Sequence, residues 1–244
     1  MLGLLIGTLL IAPAPQTFTV TVDGVERTAL VYIPAKSEGA PVVFAYHGHG
    51  GNERNAARSF RFHTIWPEAV SVYSLGLPTK TPNDRQGTRN GWDAFSKPDQ
   101  NKDIKFFDAL YEKVMKETKA DKKKVFVMGH SNGASFTYGL WQYRGDKIAA
   151  VGPCAAPGGL RQTTPKPAFI EMGETDPIVN VDQQHASIEA VLKLNGCGAP
   201  TKVSEYVNSY KGKQPVMTYI YPGGHGIPRD TTELMADFFK KIAK

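Results

Sequence analysis

Hydrophobic and polar positions alternate between two regimes along this chain. Phe18-Thr-Val-Thr-Val22 runs at period two, Asp23-Gly24 makes a turn, and Arg27-Thr-Ala-Leu-Val-Tyr-Ile33 follows until Pro34 stops it, which reads as an opening hairpin. Short, nearly continuous apolar runs then recur at Pro41 to Tyr46, Val70 to Ser74, Val125 to Met128, Ile148 to Val151, Pro167 to Met172 and Val216 to Tyr221. Runs of this length, rich in β-branched and aromatic residues, are the mark of strands covered on both faces. Helical spacing is clearest from Lys102 to Thr118, where Ile104, Phe107, Leu110, Tyr111, Val114 and Met115 recur three and four apart. Further helices are expected over Glu53 to Phe62, Ala134 to Tyr143, Val181 to Leu194 and Asp230 to Ile242. Residues 76 to 101 are rich in Gly, Pro, Asn and Asp with no period, which predicts a long loop of the kind that usually carries function. Eight strands, mostly alternating with helices after the hairpin, predict an α/β architecture: a mostly parallel sheet with helices on both faces.

Composition narrows the class. The chain has 244 residues, 41% of them hydrophobic and 21% charged, enough for a sizeable core and unlike a disordered chain. No internal repeat or linker divides it. Residues 1 to 14 read as a secretory signal peptide with small residues Ala12 and Ala14 near a possible cut, and residues 15 to 244 as a single catalytic domain, so a secreted or periplasmic location is expected. The leader lacks a Lys or Arg before its apolar run, and Pro13 and Pro15 flank the cut. The formal net charge of +6 is modest, its lysines are scattered apart from Lys122 to Lys124, and no nucleic-acid-binding motif is present. Cys154 and Cys197 are the two cysteines, allowing one bridge at most, and neither sits at metal-ligand spacing. No cofactor and no metal is expected.

The chemistry gathers at Gly129-His130-Ser131-Asn132-Gly133, a match to G-x-S-x-G. Five letters recur by chance in glycine-rich chains, and the context gives them weight. A buried strand runs in and a helix runs out, so the serine sits on a turn too sharp to tolerate side chains at its neighbours, with the helix N-terminus aimed at the same point. A serine hydroxyl needs a base, and the base needs an orienting carboxylate. In parallel sheets ligands lie beyond the carboxyl ends of the strands. After the strand at 167 to 172 stands Asp176, with Glu174 as the alternative, and after the strand at 216 to 221 stands His225. Their order, Ser131, Asp176, His225, is the one expected of α/β-hydrolases. His130, as the variable elbow residue, is expected to point away from the Ser131 hydroxyl, whereas His63 has no motif around it and His185 lies within a helix. The oxyanion hole is expected from the N–H of Asn132 and a backbone N–H of His49, in the Gly-rich turn after the strand at 41 to 46. Trp92, in the long loop, is a candidate substrate wall, with burial at the core rim as the equal alternative.

On these residues the chain resembles the small α/β-hydrolase esterases that group extracellular polyhydroxybutyrate depolymerases with feruloyl and acetylxylan esterases, carbohydrate esterase family one. The resemblance rests on the His47-Gly48 turn, Asp103-Ile104 with Phe107, Val125 to Gly133, the Asp176 turn, Asn195-Gly196-Cys197, and Gly223-Gly224-His225 with Pro228. It implies the α/β-hydrolase fold without a large lid domain, and hydrolysis of feruloyl, acetyl or hydroxyalkanoate esters, small or polymer-linked, through an acyl-enzyme. His49 stands where that family often has a small residue or Cys, and Ile227 where it often has Trp, so the acyl group is left open. A serine peptidase or a thioesterase on the same three residues, and a non-catalytic hydrolase-fold binding protein, are the competing functions.

Overall fold

The structure, a computed structural model, describes residues 14–82, 84–161 and 163–244. The expected leader falls outside these residues except for Ala14. In chain order the first elements are β1 (Gln16–Val22), β2 (Val25–Tyr32), β3 (Val42–Tyr46), α1 (Glu53–Phe60), α2 (Phe62–Ile65), β4 (Val70–Ser74), β5 (Leu77–Pro78), β6 (Asn90–Gly91) and α3 (Lys102–Thr118). There follow β7 (Val125–His130), α4 (Asn132–Arg144), β8 (Ala150–Cys154), β9 (Ala168–Gly173), α5 (Val181–Leu194), β10 (Thr201–Lys202), β11 (Val207–Tyr210), β12 (Val216–Tyr221) and α6 (Thr231–Ile242).

One sheet organises the molecule, in the order β1-β2-β4-β3-β7-β8-β9-β12-β11-β10. The six strands from β4 to β12 in that order pair in parallel, and the hairpin at one end and β11 and β10 at the other pair antiparallel. The eight strands read from the sequence are all present, and two short edge strands bring the sheet to ten. The additions escape the pattern because β10 is exposed and β11 buries only Val207.

Both faces of the sheet are covered, and its central strands are mostly apolar and buried. All five residues of β3 and of β4 are buried, and period-two geometry sends neighbours to opposite sides. Val42, Phe44 and Tyr46 pack with Phe107 and Leu110 of α3, Leu140 of α4 and Val191 of α5. Val43 and Ala45 pack with Phe60 of α1, Phe62 of α2 and Phe239 of α6. Capping sets the helix boundaries. Asn101 accepts from the N–H of Asp103 and Ile104 to start α3, and Asn180 accepts from Gln183 to start α5. The helix expected from Glu53 to Phe62 divides at Arg61, whose φ of 48° is left-handed. The 76–101 loop, read as irregular, carries the two-residue β5–β6 ladder that folds it back across the sheet end.

One ion pair ties this loop into the body. Arg27 sits at an inward position of β2 and bonds Asp103 Oδ1 at 2.7 Å, with both side chains buried. The guanidinium also lies 4.1 Å from the centroid of Phe106, while Asp103 Oδ2 accepts from the N–H of Asp93 in the loop. Burial outweighs the pull of Arg27 and leaves the Asp103 carboxyl above its usual pKa, so the pair fixes position more than it adds stability. Removing one partner is a different matter, because the other charge stays buried. Arg27→Met is expected to cost about 3–5 kcal/mol of unfolding free energy, measured by urea denaturation. A loss well below about 1 kcal/mol would mean that the pair is not the anchor.

Candidate active site

The turn from β7 into α4 explains both glycines of the elbow. A Cβ on Gly129 would come within 2.2 Å of the Gly133 carbonyl oxygen, and one on Gly133 within 2.3 Å of the Tyr46 carbonyl oxygen on β3. Only with both side chains absent can the helix start against two neighbouring strands. Ser131 between them is held at φ 55° and ψ −122°, a region costly for any residue with a Cβ. Its N–H donates to the Cys154 carbonyl at 2.9 Å, tying the strained residue to the end of β8.

Three strand ends bring Ser131, His225 and Asp176 together. Ser131 Oγ lies 2.8 Å from His225 Nε2, and His225 Nδ1 lies 2.7 Å from Asp176 Oδ2. Because the carboxylate accepts, the ring proton sits on Nδ1 and leaves Nε2 free to take the serine proton. Asp176 is itself held on every side: Oδ1 accepts from the N–H of Ile178 and Val179, and Oδ2 also accepts from the amide of Gln184. Burial alone would raise this carboxyl, but the hydrogen bonds from His225 and from the Val179 and Ile178 N–H groups prevail and hold it below its usual pKa. Glu174 is exposed, and its side chain takes no part. Gln184, two turns on in sequence and 2% exposed, escaped the sequence reading because nothing in a helix pattern marks an inward Gln as a carboxylate ligand.

The Asn132 N–H opens α4, and it and the His49 N–H donate to no backbone carbonyl among the described residues. The peptide that carries the His49 N–H has its orientation fixed from the other end, since the Gly48 oxygen accepts both the Gly51 N–H at 3.0 Å and the His47 ring Nδ1–H at 2.7 Å. His47 Nε2 in turn accepts the Gly76 N–H at 3.0 Å, so this ring is a neutral tautomer with both nitrogens used. Desolvation lowers its pKa to about 4. The His49 ring turns toward Asp84, 3.1 Å from Nε2 to Oδ2.

The Asn132 side chain reaches in the opposite direction. Its Oδ1 accepts from the Trp92 N–H at 2.7 Å and its Nδ2 donates to the Trp92 carbonyl at 2.9 Å, stitching the long loop to the elbow. Trp92 itself is 1% exposed, stacks on Phe136 and donates its indole N–H to the His47 carbonyl. It underlies the His47–Gly48 turn, the burial alternative of the sequence reading, and the aromatic side chain that meets solvent from this loop is Phe95, 80% exposed. A cleft of about 960 Å³ opens over Ser131, bordered by Phe95, Arg89, Ile178 and Ile227. Cys154 and Cys197 are both free. His63 bonds Tyr73 and stacks on Tyr32 away from the site. No helix among the described residues is long and apolar enough to cross a membrane.

Sheet order, elbow and strand-end site together are those of the α/β-hydrolase fold. Solved structures agree: the chain superposes on the acetyl xylan esterase of Aspergillus awamori with a TM-score of 0.68 at 15% identity, covering 93% of this chain and 99% of that one. Among curated proteins it is 27% identical over 177 residues to the bifunctional acetylxylan esterase/xylanase XynS20E of Neocallimastix patriciarum, spanning 70% of this chain. It is 22% identical to feruloyl esterase D of Neurospora crassa, across 91% of this chain and 86% of the relative. The chain spans 24% and 42% of the length of two curated relatives it matches. No family model matches it.

The neutral state of His47 has a measurable consequence. Its folded pKa, about 4, lies below the ordinary histidine value near 6.5. Between these values the unfolded chain binds the proton and the folded one does not, so acidification through this window destabilises the fold. The contribution reaches about 3 kcal/mol and levels off below the folded pKa. Unfolding free energy measured at pH 7 and pH 4 is expected to fall less in His47→Gln than in the wild type. An equal fall in both proteins would place the titration elsewhere.

Proposed function

We propose that the protein is a serine-dependent carboxylic ester hydrolase, with Ser131 as nucleophile, His225 as general acid and base, and Asp176 as the carboxylate that orients it. The observation that carries this reading is the unbroken chain of 2.8 and 2.7 Å hydrogen bonds from Ser131 through His225 to Asp176 beneath an open cleft. His225 takes the hydroxyl proton as Oγ attacks the ester carbonyl. The N–H groups of Asn132 and His49 receive the developing alkoxide. Collapse returns the proton to the departing alcohol, and water repeats the sequence to free the acid. We assign residues 15 to 244 to one catalytic domain and residues 1 to 14 to an export signal, which makes the enzyme secreted or periplasmic.

For the acyl group we favour an aromatic acid of feruloyl type, borne on a small alcohol or a polysaccharide. The cleft of about 960 Å³ far exceeds what an acetyl group fills. Two large apolar side chains stand exposed at its rim, Phe95 at 80% and Ile178 at 59%. Exposed side chains of this size beside a reactive group mark where an apolar ligand gains contact. The family resemblance and the acetylxylan and feruloyl esterase activities named for the relatives support the same group of esters.

The test is a panel of p-nitrophenyl acetate, p-nitrophenyl butyrate, methyl ferulate, acetylated xylan and a hydroxybutyrate oligomer. Ser131→Ala is expected to lower kcat by about 10³-fold or more on every ester the wild type cleaves. Phe95→Ala is expected to reduce kcat/KM on methyl ferulate by about 3- to 10-fold while leaving p-nitrophenyl acetate nearly unchanged. Full activity in the alanine variant at Ser131 would remove the nucleophile assignment, and an equal effect of Phe95→Ala on both esters would remove the acyl-site assignment.

A further inference from the structure

His130 fills the variable position of the elbow, and its ring lies between the two loops that the reaction needs. Its Nε2 is 2.7 Å from the backbone carbonyl oxygen of His225. Its Nδ1 edge faces the oxyanion turn, 3.1 Å from where a Cβ on Gly48 would stand. The ring also lies beside that of His225, tilted by 48° with centroids 4.9 Å apart. A carbonyl oxygen can only accept, so the ring proton sits on Nε2, and burial, which lowers the pKa to about 4, keeps the ring neutral around pH 7.

The loop that carries His225 is held at a few points, among them the Thr175 N–H, which donates to the Gly223 carbonyl at 2.9 Å. Residues 222 to 230 lie outside any helix or strand. Tyr221 Oη lies within hydrogen-bond distance of the Gly224 and Gly226 carbonyls on either side of His225, and no backbone N–H among the described residues donates to the His225 carbonyl itself. His130 therefore supplies the bond that sets the main chain at the general base. Resting on the ester hydrolase reading above, we propose that His130 is a positioning residue: its Nε2–H holds His225 in register with Ser131 and Asp176, and the same ring backs Gly48, so one side chain sets the base and the oxyanion turn together.

Side-chain reach separates this role from simple filling of space. A Gln at position 130 brings an amide N–H to the place of the ring Nε2, whereas Asn stops one bond short and Leu has no donor. The experiment measures the rate constant for fluorophosphonate labelling of Ser131, kcat and KM on p-nitrophenyl butyrate across pH 5 to 9, and thermal melting, for the wild type, His130→Gln, His130→Asn and His130→Leu. In Asn and Leu variants, labelling and kcat are expected to fall by about 10-fold or more, as small misplacements of catalytic groups do, while KM stays within about two-fold. His130→Gln recovers most of the rate, and the pH profile keeps its shape in every folded variant because the group that takes the serine proton is unchanged. The Asn and Leu variants back each other should one fail to fold. Wild-type labelling rates in the folded Asn or Leu variant, or a Gln variant no better than these, would overturn the proposal. A wild type that is not labelled at Ser131 would instead sink the hydrolase reading on which it rests.

Discussion

The structure turns on one strained residue. Ser131 has a positive φ, and a conformation of that kind costs on the order of 1–3 kcal/mol and persists only where the surroundings overdetermine it. Here they do. The strand before it is paired in parallel on both sides, to β3 and β8, and the helix after it starts in contact with the Tyr46 carbonyl through a bare glycine. The centre of the sheet, where pairing is densest and burial complete, bears the strain. The other parts of the site need only arrive at neighbouring strand ends, from β3, β9 and β12, which parallel topology provides.

A second regularity lies in how those arrivals are secured. His47 grips the Gly48 carbonyl, His130 the His225 carbonyl, Tyr221 the Gly224 and Gly226 carbonyls, and Asp103 the Asp93 N–H. In each case a side chain on or beside a regular element holds the main chain of a loop that makes no ladder of its own. Buried polar groups of this kind are costly when unpaired and firm when satisfied. Two of the holders are histidines kept neutral by burial, and each has the one proton it needs at the nitrogen that faces a carbonyl.

Much of this was legible in the sequence, because hydrophobic period and turn chemistry act locally. The helix read from Lys102 to Thr118 and the one from Val181 to Leu194 have those boundaries in the structure, since an Asn cap precedes each and the apolar stripe is unbroken. Ser131, Asp176 and His225 were read from strand ends, and the structure brings their side chains within hydrogen-bond distance of one another. What escaped depends on contacts between residues far apart in the chain. Arg27 is hidden in an otherwise alternating strand, and only the fold reveals that Asp103, 76 positions on, meets it. The roles of Gln184 and His47 have the same origin, as does the bond of His130 to the His225 carbonyl. The long loop misled for a different reason: its ladder is two residues deep, too short to leave a period.

The bond between Asn132 and the long loop shows what gripping main chain allows. Asn132 reads the N–H and C=O of residue 92, while the buried indole of Trp92 adds its stack on Phe136 and its bond to the His47 carbonyl. The loop is therefore docked twice through residue 92, by its main chain and by its indole. Its outward residues, Phe95 among them, take no part in that docking and can be exchanged while the attachment to the elbow is preserved. For selection, and equally for an engineer transplanting loops between scaffolds, the outer face of the loop becomes a replaceable cartridge and the elbow a fixed socket.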